Sequence, residues 1–234
     1  MQGKLIALYG INNIGKTTQA HSLVSQIKAA GFRSEYLKYP VYDLNPTGKK
    51  LNEILRGKKS AVQYCQNFFP GTWICRNKSQ DKLSQLFKYR AVKKEESVKQ
   101  KISEEELQMW YTLNRYQYQP ELQKKLARGY IMVAEDYIGT GLAWGSAKGA
   151  DLKWLEIMNR YLLKEDLSIL LDGKRFLRGK EQNHLHESND ELVEKCRDVH
   201  LKLGKKYKWQ MVNANQPLLK VEEDIWKIVK NLIV

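Results

Sequence analysis

Apolar residues along this chain fall into two rhythms, short unbroken runs and longer stretches with helical spacing. Leu5-Ile6-Ala7-Leu8-Tyr9 is the first run and predicts a strand buried on both faces. Ala20, Leu23, Val24 and Ile27 then recur at the spacing of an amphipathic helix, which Gly31 would cap. Ser34-Glu35-Tyr36-Leu37-Lys38-Tyr39 predicts a second strand. A turn-rich stretch at 43–48 leads to a short helix with Leu51, Ile54 and Leu55 on one face, running to Gly57. Ser103 before three glutamates is a helix start. That helix carries Leu107, Trp110, Tyr111, Asn114, Arg115 and Tyr118, and Pro120 predicts a bend or a restart over 121–126. Further strands are expected at 130–134, 167–172 and 209–212, with helices at 152–163, after residue 189 and through to Ile233. Five strands alternating with helices predict an α/β fold, a five-stranded parallel sheet covered by helices on both faces, in a single domain over 1–234.

Charge changes this picture in one place. Residues 56–101 carry twelve Lys or Arg against three Asp or Glu, most of the chain's net +14. Residues 58–101 therefore read as a basic insertion on the core fold. Its aromatics (Tyr64, Phe68, Phe69, Trp73, Phe87, Tyr89) either form a small local core or stack on the bases of a nucleic acid. No apolar run approaches the length of a membrane span, so no membrane partner is expected. The N-terminal run passes straight into a glycine turn and reads as core strand, not as a signal peptide. Three cysteines, Cys65, Cys75 and Cys196, lack metal-site spacing and fit reduced thiols in a cytoplasmic protein.

The candidate chemistry begins where the first strand ends. Gly10-Ile11-Asn12-Asn13-Ile14-Gly15-Lys16-Thr17 fits G-x-x-x-x-G-K-[ST], the phosphate-binding loop, with Thr18 just behind. Its glycines let successive backbone N–H groups converge on phosphate oxygens. Lys16 supplies a charge for the β/γ-phosphates, and the Thr17 hydroxyl can ligate Mg²⁺. The helix after Gly15 adds its unpaired N–H groups and the positive end of its dipole. A nucleoside triphosphate is the expected ligand. Glu135 and Asp136 end the third strand at the same sheet edge, where one of them can hold Mg²⁺ or its waters. Lys174, Arg175, Arg178 and Lys180 lie in a polar segment at 173–189 that can close over phosphates as a lid. His184 and His186 lack a third ligand to make a metal site.

Taken together, these residues resemble the thymidylate kinase family of P-loop nucleoside monophosphate kinases, over nearly the whole chain apart from the insertion. The resemblance rests on the phosphate loop, Tyr39-Pro40 to Gly48, Asn114-Arg115-Tyr116-Gln117, Glu135-Asp136-Tyr137 with Thr140-Gly141-Leu142-Ala143, and Met211-Val212-Asn213-Ala214. It implies ATP- and Mg²⁺-dependent phosphorylation of thymidine 5′-monophosphate by a homodimer. Gly10, Asn12, Asn13, Ile14, Gly15, Lys16, Thr17 and Thr18 would hold ATP, with Asn213 and Asn215 beside its base. Thr17, Glu135 and Asp136 would take the metal. Tyr39, Tyr42, Tyr137, Gly141, Glu135 and Asp136 would line the acceptor site, where Tyr111 stacks on the base and Arg115 bonds its edge. Lys16, Arg175 and Arg178 would be the catalytic cations.

The chain also departs from that family. Asn12 stands where the loop usually has an acid, and Tyr42 and Asp136 stand where arginines would meet the acceptor phosphate. Losing two such cations should cost several kcal/mol, at roughly 1.5–3 kcal/mol per charge-assisted bond. Arg76, Arg90, Lys148 and Lys153 are candidate replacements. A deoxynucleoside kinase, with a neutral acceptor, would not miss the arginines. A kinase for another nucleoside monophosphate and a nucleic-acid-binding P-loop protein are the other readings.

Overall fold

The computed structural model describes residues 2–56, 102–176 and 190–233; residues 58–101, read above as an insertion, lie outside them, as do residues 177–189 of the expected lid segment at 173–189. Strands β1 (Lys4–Tyr9), β2 (Ser34–Lys38), β3 (Ile131–Glu135), β4 (Leu167–Asp172) and β5 (Gln210–Asn213) form one parallel sheet in the order β2-β3-β1-β4-β5. Around it pack α1 (Lys16–Ala29), α2 (Thr47–Arg56), α3 (Glu104–Ala127), α4 (Ile138–Ala147), α5 (Leu152–Asn159), α6 (Asp190–Tyr207) and α7 (Leu218–Ile233).

Strand alternation sorts the side chains into two cores. Ile6, Leu8, Ile131, Val133, Ile169 and Leu171 face one side and pack with α1, α4, α6 and α7. Leu5, Ala7, Tyr9, Met132, Ala134 and Leu170 face the other, against Leu122 of α3 and the rings of Tyr39 and Tyr137. Successive strand residues point to opposite faces, so a strand covered on both sides must be apolar throughout. This is why the sequence shows unbroken runs instead of alternation.

The helices depart from the sequence reading in two places. α3 runs uninterrupted through Pro120. The proline removes one N–H bond, but tertiary contacts hold the helix on both sides of it. Tyr116 donates to Met158 O at 2.8 Å, Gln119 accepts from Leu163 N at 2.7 Å, and Leu122 is fully buried. α4 was not expected, because three glycines in ten residues argue against a helix. Those glycines permit close packing. A Cβ on Gly139 would lie 2.6 Å from the Trp209 ring, and one on Gly145 would lie 2.8 Å from Leu155.

α6 places one titratable group in the apolar interior. His200 is 1% exposed, its Nδ1 lies 2.9 Å from Cys196 O, and its Nε2 has no partner among the described residues. Burial pushes its pKa down to about 4, against about 6.5 in an unfolded chain. Between these values the unfolded chain binds the extra proton, so stability falls as pH falls. From pH 7 to 4.5 this histidine alone should withdraw about 2 kcal/mol. Urea unfolding of His200→Phe at both pH values should show that part of the slope removed.

Candidate active site

The C-terminal ends of the three strands β2, β3 and β1 lie side by side, which brings Lys38, Glu135-Asp136 and the loop after Tyr9 to one edge of the sheet. A cavity of about 460 Å³ opens there. One wall is the phosphate loop, through Asn12, Asn13, Gly15, Lys16, Thr17 and Thr18. Gly10 takes a φ of 141° and Gly15 a φ of 94°, and Asn13 supplies the third left-handed turn at 59°. At Gly10 a side chain is also excluded by space, because its Cβ would sit 2.6 Å from Leu171 O. Gly15 caps α1 with no side-chain hydrogen bond, and the first turn holds no acid. The helix N-terminus therefore keeps its N–H groups and positive potential for a bound anion. Lys16 is buried, bonds Gly10 O at 3.1 Å and Ile11 O at 3.0 Å, and lies 3.6 Å from Asp136 Oδ1.

Glu135 and Asp136 share this edge but sit in different environments. Glu135 accepts from Thr17 Oγ1 at 2.9 Å and from the Tyr36 hydroxyl, with Lys38 Nζ at 3.3 Å. Burial works against its charge, but the Tyr36 hydroxyl, Lys38 and Lys16 outweigh that and hold its pKa below the usual range. Asp136 occupies a left-handed backbone position (φ 64°) and accepts from Thr140 Oγ1 at 3.1 Å. Burial pushes its carboxyl up, with the Glu135 charge adding to the effect against the pull of Lys16. A hydroxyl oxygen and two carboxylates at the mouth of a phosphate loop are hard donors that fit Mg²⁺, an ion that takes few protein oxygens and fills its shell with phosphate and water.

The opposite wall comes from α3, α4 and the loop after β2. Tyr39, Pro40, Tyr42, Tyr111, Arg115, Gly141 and Trp144 all line it. Asn114 holds that loop in place, since its amide accepts from Val41 N at 2.8 Å and donates to Val41 O at 3.0 Å and Thr47 Oγ1 at 2.9 Å. Arg115 is 3% exposed. Its Nη1 reaches Asn159 Oδ1 at 3.3 Å, its Nε has no partner, and no carboxylate among the described residues pairs with it. Burial lowers its pKa, opposed by the surrounding Tyr137, Tyr9, Tyr39 and Tyr111. The guanidinium faces Gly141, where a Cβ would lie 2.9 Å from Nη2 and 3.1 Å from Nη1.

Other expected site residues sit elsewhere. Tyr137 is fully buried in the core, where its hydroxyl donates to Leu163 O at 3.0 Å. The Ile14 side chain also packs into the core, and the Gly10 carbonyl accepts from Lys16 Nζ. Asn213 accepts from Asn215 N at 2.9 Å, while the Asn215 amide pairs with both backbone groups of Lys174. Arg175 pairs with Asp190, and Phe176 N donates to Asn13 O at 2.8 Å. Arg178, Arg76 and Arg90 lie outside the described residues, as do His184, His186 and the aromatics of the insertion. Lys148 does line the cavity, held by Glu104 at 2.9 Å; Lys153 does not. Lys38, Gln108 and Trp144 are cavity residues that sequence reasoning passed over. For Lys38 a signal existed, a charge at the last position of a strand on the ligand-binding edge.

The thymidylate kinase family model matches residues 88–225. Among curated relatives, the chain is 26% identical over 229 residues to the thymidylate kinase of Homo sapiens, covering 96% of this chain and 88% of that protein. It is 28% identical over 237 residues to a probable thymidylate kinase of Pyrococcus abyssi, covering 99% and 98%. A solved thymidylate kinase from Candida albicans superposes with a TM-score of 0.69 at 20% identity, covering 99% of this chain and 92% of that one.

Proposed function

Because the chain belongs to the thymidylate kinase family, we propose that it transfers the γ-phosphoryl group of ATP to the phosphate of thymidine 5′-monophosphate. The observation that carries this reading is one cavity walled by a phosphate loop on one side and by Tyr111 and the buried Arg115 on the other. The loop N–H groups and Lys16 hold the donor phosphates. Tyr111 offers a ring face to a base, and Arg115 offers planar donors to its edge. Phosphoryl transfer of this kind needs positioning and charge stabilisation more than covalent chemistry. Thr17, Glu135 and Asp136 would hold Mg²⁺, which supplies charge neutralisation on the phosphates when bound. Arg175, and Arg178 beyond it, would bring the lid's positive charge to the transferring group.

Tyr42 and Asp136 give the deoxynucleoside kinase reading its support, since neither wall position carries a cation. Offering the purified protein dTMP, dUMP, dCMP, dGMP and thymidine separately with Mg-ATP tests both. Fastest turnover of dTMP is expected; turnover of thymidine alone would replace this reading with its rival. The same reading carries a cytoplasmic homodimer. Met109 and Leu113, exposed one turn apart on α3, offer apolar surface for the second copy, and sedimentation analysis tests it.

A further inference from the structure

An acceptor phosphate must lie between the phosphate loop and the base-binding wall, and it brings two negative charges. The two wall positions where the family resemblance expects arginines are Tyr42 and Asp136, so its countercharge must come from elsewhere. Among the described residues four cations line the cavity: Lys16, Lys38, Arg115 and Lys148. Lys16 is buried against the loop carbonyls on the donor side. Arg115 lies at the base end, beneath Gly141. Lys148 belongs to the same end. It is mostly buried at 2.9 Å from Glu104, whose other oxygen accepts from Gln108 at 2.7 Å, and Gln108 also faces Gly141.

Lys38 stands in the remaining place. It ends β2 in register with Glu135, directly before Tyr39 of the acceptor wall. Its Nζ lies 3.3 Å from Glu135 Oε1, the oxygen to which Thr17 also donates at 2.9 Å. That puts the ammonium beside the point where the two phosphates must meet. The side chain is 49% exposed. A lysine ammonium is a point charge on a flexible stem, so it can turn from Glu135 to a ligand oxygen without moving the backbone. We propose that Lys38 is the residue that binds the acceptor's phosphate monoester, in place of the two absent arginines. This rests on the thymidylate kinase reading above.

Calorimetric titration of the full-length protein with dTMP and, separately, with thymidine tests the assignment. Lys38→Met should weaken dTMP binding by about 10- to 100-fold, the range for one charge-assisted bond, and leave thymidine binding unchanged. Lys38→Arg should retain most of the dTMP affinity, and Lys148→Met should keep the preference for dTMP over thymidine. Unchanged dTMP affinity in Lys38→Met, an equal loss for both ligands, or loss of the phosphate preference in Lys148→Met instead would each overturn the role of Lys38. A wild-type protein that does not bind dTMP would overturn the kinase reading itself, which separates the two failures.

Discussion

Lys16→Ala is expected to lower kcat for phosphoryl transfer by roughly 10³-fold, the scale for removing one preorganised charge from a transferring group. Lys16 is the cation inside the loop, and its Nζ is held by Gly10 O, Ile11 O and Asp136 in a water-poor pocket where charge counts for more. The strand and α1 do not depend on it, and the turn keeps its shape through the backbone angles of Gly10, Asn13 and Gly15. Far-UV circular dichroism should therefore be unchanged, and dTMP binding by calorimetry should persist. The substitution also leaves a signature in stability. Asp136 loses its opposing charge, so its carboxyl, already raised by burial, rises further. The folded chain then holds a proton that the unfolded chain has released, and stability is lost as pH rises through that value. Activity within tenfold of wild type, measured at saturating ATP, would remove Lys16 from the mechanism.

The second large effect divides activity from stability. Arg115→Met should reduce kcat/KM for dTMP by about a hundredfold or more, since the planar donors offered to the base edge would go. The melting temperature should stay level or rise. Arg115 is a buried cation with one 3.3 Å bond, an unpartnered Nε and no carboxylate partner among the described residues. Such a group costs desolvation that nothing nearby offsets until a ligand arrives. Methionine fills similar space without that cost. Alanine would leave a cavity and confuse the comparison. Gly141→Ala gives an independent check, because its Cβ would press on Nη1 and Nη2 and should raise KM for dTMP with less effect on kcat. A protein that loses stability in Arg115→Met but keeps its kcat/KM would show a structural arginine and no acceptor contact.

Part of this site is written locally. A glycine loop between an apolar run and an amphipathic helix has few ways to fold, and its chemistry lies in eight consecutive residues. Glu135 and Asp136 were legible for a similar reason, because the end of a buried parallel strand marks the ligand edge. Asn215 shows the limit. Its amide holds the backbone of Lys174, a pairing across forty-one residues that no spacing rule contains. Tyr137, next to two site carboxylates in sequence, turns into the core because Asp136 takes a left-handed backbone conformation (φ 64°) that breaks the alternation of the strand.

The amino-acid order determined the apolar runs, hence a sheet buried on both faces, and it determined the phosphate loop. Both follow from interactions within a few residues. Only the tertiary structure decided that α3 passes Pro120, that three glycines serve α4 by close approach to Trp209, Arg115 and Leu155, and that Lys38 meets Glu135 and Thr17. Each of these joins residues distant in sequence. Burial and close packing set their energies, and local pattern carries no record of either.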